Sequence, residues 1–212
     1  DKKILSELLG RAMSSGADFA EVFAEHTRHG LVVLSGGAVD ELSDRFLSGV
    51  GIRVLRGKRS VYASTSDMSY SGLMRCASSV ADALGESGKE VSIRLEERIF
   101  PDIHAIQRVT SGVSKQEQID VLRAAHTGAV QYSNEISQVE ASLLNVDRNI
   151  LIANSEGLLT EDRQVRTRLR VSAIASTATE KQTGSCAPGF RKGMEMFEQV
   201  DPAQAGRTAA EQ

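Results

Sequence analysis

The chain is poor in the residues that several specialised functions require. Aromatic residues make up 4% of its 212 residues and tryptophan is absent, which argues against an aromatic platform for stacking single-stranded nucleic acid. Its two cysteines, Cys76 and Cys186, are too few for a disulfide framework and suit free thiols in a reducing compartment. No apolar run approaches the ~20 residues needed to span a bilayer. We therefore expect a soluble, cytoplasmic protein without membrane contact.

Charge is nearly balanced. The 25 basic and 28 acidic residues leave a net charge of −3, so no global basic field attracts DNA or RNA, and we expect no direct nucleic-acid partner. With 41% hydrophobic residues, a packed core is expected. At about 100–200 residues per domain, the length allows one full domain or two small ones.

Helical periodicity appears in four places. The first helix carries Ile4, Leu5, Leu8 and Leu9 on one face and ends near Gly16, a residue suited to a left-handed cap. A second begins at Ser69 or Ser71 and ends at Gly85, with an apolar stripe at Leu73, Cys76, Ala77, Val80, Ala81 and Leu84. Ser114 and Glu117 form a capping-box pattern for a third helix. An alanine-rich helix begins near Ala203.

Strand signals fall between these helices. Alternation predicts strands at residues 50–54, 61–64 and 139–143, and a long strand at 165–176. Residues 91–95 also alternate, but they lie in a stretch of weak signal that we interpret as a connector. Short apolar runs at 31–34 and 150–153 are further strands, each followed by a turn, at Ser35-Gly36-Gly37 and at Asn154-Ser155-Glu156-Gly157. The glycine-rich residues 182–193 are predicted to form a loop.

The order of elements repeats along the chain. A helix followed by strands that end in a return strand occupies about residues 3–66 and again about 115–187. We therefore predict an α+β fold in which an antiparallel or mixed β-sheet is built from two helix-plus-meander halves, with helices packed against it. The internal halves would be residues 1–85 and 115–200, joined by a connector at 86–114, within one domain spanning 1–212.

No catalytic signature is present. The chain has no His-Glu-x-x-His zinc motif, no Gly-x-Ser-x-Gly elbow and no Ser-x-x-Lys pair. Residues 184–189 have phosphate-loop glycine spacing but lack the following lysine and hydroxyl residue. His26 and His29 would lie on opposite faces of a strand and share no metal, unless a turn brings them together. Cys76 is interpreted as a packed core residue, whereas Cys186 would lie in an exposed loop.

Three arginines, Arg166, Arg168 and Arg170, share one face of the long predicted strand. Alternate strand residues lie roughly 6.5–7 Å apart, so three guanidinium groups could bind carboxylates of a partner. The interpretation we favour from the sequence is a solvated face, balanced by Glu161, Asp162 and acidic residues across the strand pair.

Several segments in order resemble the amino-terminal domain of the TldD/PmbA family, also described as modulators of DNA gyrase. They include Gly16-Ala17-Asp18-Phe19-Ala20-Glu21-Val22, Gly49-Val50-Gly51-Ile52-Arg53-Val54, Tyr62-Ala63-Ser64-Thr65-Ser66-Asp67 and Ile152-Ala153-Asn154-Ser155-Glu156-Gly157. The segments Glu161-Asp162-Arg163, Gln182-Thr183-Gly184-Ser185 and Gly193-Met194-Glu195 look more like the TldD branch than the PmbA (TldE) branch. The resemblance covers nearly the whole chain.

The resemblance implies a zinc metallopeptidase that cleaves small or unfolded peptides, often paired with a PmbA-type subunit. Its metal site is a His-Glu-x-x-x-His helix and a later cysteine in a carboxy-terminal domain. This chain contains no such motif, and neither Cys76 nor Cys186 matches that cysteine, so no catalytic or metal residue is assigned here. We expect a fragment whose zinc belongs to the missing carboxy-terminal domain.

The leading hypothesis is thus a non-catalytic amino-terminal domain that forms part of a substrate cavity and of a subunit interface. Partners would be a peptide substrate, the protein's own carboxy-terminal domain, and a second subunit in a homodimer or a PmbA-type heterodimer. Thr183, Gly184 and Arg191 are the predicted substrate-binding residues. Two alternatives stay open: a standalone regulatory or gyrase-binding module without enzymatic activity, and a scaffold that associates through exposed strand edges.

Overall fold

The computed structural model describes residues 1–85 and 91–212, and in these it has the predicted α+β architecture. The first part of the chain contains α1 (Lys2–Met13), β1 (Phe19–Ser35), β2 (Ala38–Arg56), β3 (Arg59–Thr65), α2 (Tyr70–Leu84) and β4 (Glu96–Glu97). The second contains α3 (Lys115–Val130), β5 (Ile136–Asn154), β6 (Leu158–Ser176), β7 (Lys181–Cys186), β8 (Gly189–Phe190) and α4 (Pro202–Glu211). Short 3-10 helices cover Thr110–Gly112 and Met194–Glu198.

The strands form one mixed sheet in the order β3-β2-β1-β5-β6-β4, and β7 and β8 also pair with β6. Pairing is antiparallel between β2 and β3 and between β6 and both β7 and β8, whereas β4 runs parallel to β6. The predicted repeat is confirmed, because α1-β1-β2-β3 and α3-β5-β6-β7 follow the same plan. Their strands have 17, 19 and 7 residues in the first copy and 19, 19 and 6 in the second.

Two compact units share the long strands. The first consists of Asp1–Thr27, Leu47–Pro101 and Arg148–Arg163, and the second of Arg28–Phe46, Asp102–Asp147 and Gln164–Gln212. The predicted halves 1–85 and 115–200 describe the repeat along the chain, and as domains they stay a prediction. Residues 86–90, the start of the predicted connector, lie outside the described residues.

The first unit has an apolar core beneath a pair of helices. Leu8 and Leu9 of α1 and Val80 of α2 pack with Val22 of β1 and Ile52 of β2, and all five are fully buried. The predicted caps of α2 are confirmed, since Ser69 Oγ accepts a hydrogen bond from the Gly72 N–H and Gly85 ends the helix with a φ of 116°. The C-cap of α1 is Ser14 rather than Gly16, which follows two residues later with a φ of 76°. Such positive φ values favour glycine because it has no Cβ.

The second unit repeats this plan with α3 and α4. Its core includes Leu122 of α3, Leu143 of β5, Leu169 of β6 and Ala209 of α4. The two helices approach unusually closely, since a Cβ added to Gly128 would collide with the Ala203 carbonyl and one on Gly206 with the Ala125 carbonyl. The predicted third-helix cap is also present, with Ser114 Oγ accepting from the Glu117 N–H at 3.1 Å.

The structure corrects some of the predictions about local structure. The predicted loop at residues 182–193 contains two strands, because β7 and β8 pair with β6, and only residues 187–188 and 191–193 lie outside them. In the predicted connector, residues 91–95 form no strand despite their alternation; Glu96–Glu97 pair with β6, and Leu95 is buried in the first unit's core. The apolar run 31–34 is the end of the single strand β1, and β2 begins at Ala38, twelve residues before Val50. None of the described helices is long and apolar enough to cross a membrane.

Candidate functional site

The predicted substrate-binding residues Thr183 and Gly184 lie on β7. They pair with Ile174 and Ala173 of β6, and Thr183 is exposed. The end of α4 lies directly against Gly184, where an added Cβ would collide with the Ala209 carbonyl. Glycine is therefore required at position 184 because a helix approaches so closely, whereas its neighbour Thr183 on the same strand is exposed to solvent.

Arg191 lies elsewhere in the second unit. It follows β8, whose Phe190 and Gly189 pair with Thr167 and Arg168 of β6. Thr183 is opposite Ile174, seven residues further along β6, which at roughly 3.3 Å per residue is a separation of about 23 Å. Thr183 and Gly184 are consecutive residues of β7, and the structure does not bring Arg191 close to them.

A polar cleft that the sequence interpretation missed lies in the second unit. Arg28 of β1 and Lys115 of α3 both pair with Asp44 of β2, at 2.9 Å from Nη2 to Oδ1 and 3.2 Å from Nζ to Oδ2. Partial burial by itself raises the pKa of Asp44, but the hydrogen bonds and charges of the two cations outweigh burial and hold this pKa below its ordinary 3.8. The charged groups named here are therefore satisfied by one another.

The wall of this cleft contains buried amides. Thr110 Oγ1 donates to Asn145 Oδ1 at 2.9 Å, and Gln118 Nε2 donates to the Val113 carbonyl at 3.3 Å. Gln118 and Asn145 are 1% and 6% exposed, yet Gln118 Oε1 and Asn145 Nδ2 have no partner among the described residues. Leaving such a buried group unpaired costs about 1–3 kcal/mol.

Gly30 of β1 shapes this cleft. A Cβ at this position would lie 3.1 Å from Asp44 Oδ1 and 3.7 Å from Asn145 Cβ, so the missing side chain leaves space between the two. A water-sized molecule can occupy only about 10 Å³ of this cleft, which is about the space that one water needs. The arrangement is suited to hydrogen-bonding a small neutral group. The sequence feature that could have revealed this cleft is a polar residue at a position expected to be buried. Asn145 is on the same face of β5 as the buried Val139, Ala141 and Leu143.

A buried carboxylate joins two loops of the second unit. Glu195 accepts hydrogen bonds from the backbone N–H groups of Gly193 and Arg108 at 2.9 and 3.0 Å, and from that of Gln107 at 3.4 Å. Burial acts to raise the pKa of Glu195, but these backbone donors outweigh it and hold the pKa below its ordinary 4.5. In return, the Arg108 carbonyl accepts from the Met194 N–H. The Gly193-Met194-Glu195 segment thus has a structural role.

The groups most able to bind zinc are dispersed. Cys76 is buried in the first unit, where burial raises the pKa of its thiol, and Cys186 is half-buried on β7. His26 and His29 lie on β1 and are both exposed, and His126 lies on α3 beside Gly37. Within residues 1–85 and 91–212, no three His, Cys, Asp or Glu side chains are placed to hold a metal ion. The described residues therefore do not fit a catalytic zinc ion.

Two family models match this chain. Residues 20–84 match "PmbA/TldA metallopeptidase domain 1" and residues 110–212 match "PmbA/TldA metallopeptidase central domain". The chain belongs to the TldD/PmbA family. The two matches divide it near the predicted connector and together cover most of its length.

Curated relatives and solved structures are similar to this chain. The chain is 25% identical over 185 residues to the "Metalloprotease TldD homolog" of Haemophilus influenzae, covering 86% of this chain and 38% of that protein. The "putative modulator of a DNA gyrase" from Thermotoga maritima has the same fold, with a TM-score of 0.77 at 21% identity over 99% of this chain and 46% of its own. TldE from Thermococcus kodakarensis gives 0.71 at 12% identity, covering 98% and 46%. The TldD/PmbA chain described here spans about two fifths of the length of the curated relatives it matches.

Proposed function

We propose that this chain is the non-catalytic amino-terminal part of a TldD-type zinc metallopeptidase that acts on small or unfolded peptides in the cytoplasm. The observation that carries the proposal is the match to domain 1 and the central domain of the metallopeptidase family, in relatives that are much longer than the match. In this proposal zinc binds in a carboxy-terminal domain, because the described residues offer no suitable group of ligands. The chain described here then supplies shape and contacts.

The substrate cavity is proposed to include β7. Thr183 is exposed, and β7 pairs with β6 along one edge, so its opposite edge offers backbone N–H and C=O groups to an extended peptide. Thr183 and Gly184 are the proposed contacts at this edge. Arg191 follows Phe190, which lies about 23 Å from Thr183 along β6, so Arg191 would contact a different part of the substrate.

The subunit interface is proposed to use residues 38–46 of β2. Of the strands that the structure describes, β3 pairs only with Val50–Arg56 of β2, which leaves the preceding edge of β2 uncovered. Leu42 and Phe46 are 47% and 66% exposed on this segment. Unpaired strand edges with apolar side chains associate readily with other chains. The partner would be a second copy or a PmbA-type subunit, such as the TldE whose fold this chain shares.

An assay of this chain alone tests the absence of catalytic groups. The chain is loaded with zinc and incubated with an unfolded protein such as reduced casein, and peptide release is followed with and without a chelator. We expect no chelator-sensitive hydrolysis. Hydrolysis that a chelator abolishes, and that is lost in a Cys186→Ala or a His126→Ala variant, would show that the catalytic metal binds within this chain and would overturn the proposal.

A regulatory module without enzymatic activity is the second candidate. The solved structure described as a modulator of DNA gyrase favours it. Reading the coding sequence downstream of Gln212 separates the two. A continuation that encodes His-Glu-x-x-x-His supports the peptidase, whereas a stop codon supports the module.

A further inference from the structure

The arginine row of β6, which consists of Arg166, Arg168 and Arg170, is exposed in the structure. These side chains alternate with the buried Thr167 and Leu169, as the sequence pattern predicted. The three guanidinium groups therefore project from one face of a regular strand, at intervals of roughly 6.5–7 Å.

The neutralisation expected from the sequence is not found. None of the carboxylates in the described residues lies within 4 Å of a guanidinium nitrogen of the arginine row, although arginines on other strands do have such partners. Arg53 of β2 pairs with Glu21 at 3.1 Å, for example. Three like charges in a line repel one another, so the row is at its most favourable when an anion neutralises it.

The neighbouring strands leave the row open. Gly189 of β8 is opposite Arg168, and a Cβ there would lie 3.1 Å from Arg168 Cγ. Ser185 of β7 is opposite Ser172, the next residue on the same face. Because these neighbours are small, the guanidinium groups remain accessible to a ligand that lies along β6.

We propose that the arginine row is a docking surface for an extended, acidic segment of a partner protein. Alternate side chains of an extended peptide have the same spacing as alternate residues of β6, so carboxylates at every second position each meet one guanidinium. Arginine pairs with a carboxylate through two parallel hydrogen bonds, which adds geometric specificity to the charge. Nucleic acid is disfavoured because the row contains no aromatic residue to stack bases and the chain carries a net charge of −3.

The experiment compares two synthetic peptides of identical composition. In one, three aspartates alternate with serines; in the other, three aspartates are contiguous and serines follow. Each is titrated into the ¹⁵N-labelled chain at low salt, and amide shifts and dissociation constants are measured by NMR. We expect the alternating peptide to bind about threefold more tightly, since it can form one more exposed ion pair, and to shift amides of residues 164–172.

Charge-matched variants provide the control. Replacing all three arginines of the row by glutamine is expected to weaken binding about tenfold, from the loss of three exposed pairs. The control replaces Lys58, Arg59 and Arg98 by glutamine; all three are exposed and the change in net charge is the same. The control variant should bind like the unaltered chain. Replacing the row by lysines should give intermediate affinity because the charge stays but the bidentate geometry is lost.

Three outcomes would overturn the proposal. Equal affinity for the two peptides would show that only net charge matters, and equal weakening by both triple variants would show that the row is not the site. Tighter binding of an oligothymidylate of matched length than of the alternating peptide would assign the surface to nucleic acid. Amide spectra of each variant show whether it remains folded.

Discussion

The two compact units share one order of elements but differ in what they bury. In the first unit, the buried polar residues Ser15, Thr27 and Asn154 each have a hydrogen-bond partner. In the second, Gln118, Asn145 and Thr167 are equally buried, and each has a side-chain atom without a partner among the described residues. Among the fully buried polar residues that the structure describes, those with an unpartnered side-chain atom thus lie in the second unit, whereas in the first unit the unpartnered buried atom is Nε of the half-buried Arg148.

The largest effect is expected in the first unit. Leu9 is fully buried in its core, so Leu9→Ala removes packed surface and leaves a cavity. We expect a loss of about 3 kcal/mol in the free energy of unfolding. Urea denaturation measures it, with the exposed Leu47→Ala as control. A loss no larger than that of the control would show that this unit's core is not what stabilises the chain.

The helix contact of the second unit comes next. Gly206→Ala places a methyl group against the Ala125 carbonyl, and we expect a loss of about 2 kcal/mol because the backbones must separate. Gly112→Ala is the matched control, since nothing lies within 4 Å of its added Cβ. Thermal unfolding of both variants gives the difference. Equal stability would mean that α3 and α4 are further apart than described.

The buried carboxylate of the second unit is expected to have a smaller, pH-dependent effect. Glu195→Gln keeps the shape but loses hydrogen bonds to a charged acceptor, at a cost of about 1.5 kcal/mol near neutral pH. The folded-state pKa lies below 4.5, so the ionised group stabilises the fold fully above that value, and this contribution disappears as the pH falls through the lowered pKa.

Denaturation of both forms between pH 7 and pH 3 checks this dependence. The stability of wild type and Glu195→Gln should converge in acid. A difference that persists unchanged at the lowest pH would show that the carboxylate charge is not the cause.

The smallest expected effect on stability compares one buried threonine from each unit. Thr167 and Thr27 are each 1% exposed, but Thr167 Oγ1 has no partner in the described chain, whereas Thr27 Oγ1 donates to Glu25 at 2.6 Å. Thr167→Val should raise the free energy of unfolding by about 1 kcal/mol and Thr27→Val should lower it by a similar amount. Two changes of the same sign, measured by urea denaturation, would remove the contrast between the units.

Local patterns predicted those elements whose signal lies within one segment. The apolar stripe of α2 between Ser69 and Gly85 is an example, because a helix that is buried on one side has apolar residues at a period of 3.6 residues. The pairing strands β7 and β8 were mistaken for a loop, since β8 has only two residues and its place depends on β6. Thr183 and Gly184 were found next to each other, but the distance to Arg191 depends on the register of β6.

The order of helices and strands, the capping residues and the alternating arginines of β6 were determined by the amino-acid sequence itself, because each follows from residues that are neighbours in the chain. The cleft between Asp44 and Asn145, the contact of Gly184 with α4 and the unneutralised arginines were decided only by tertiary structure. Each depends on which residues that are distant in sequence lie side by side. Strand pairing determines this through its register, and a single segment of sequence carries no information about that register.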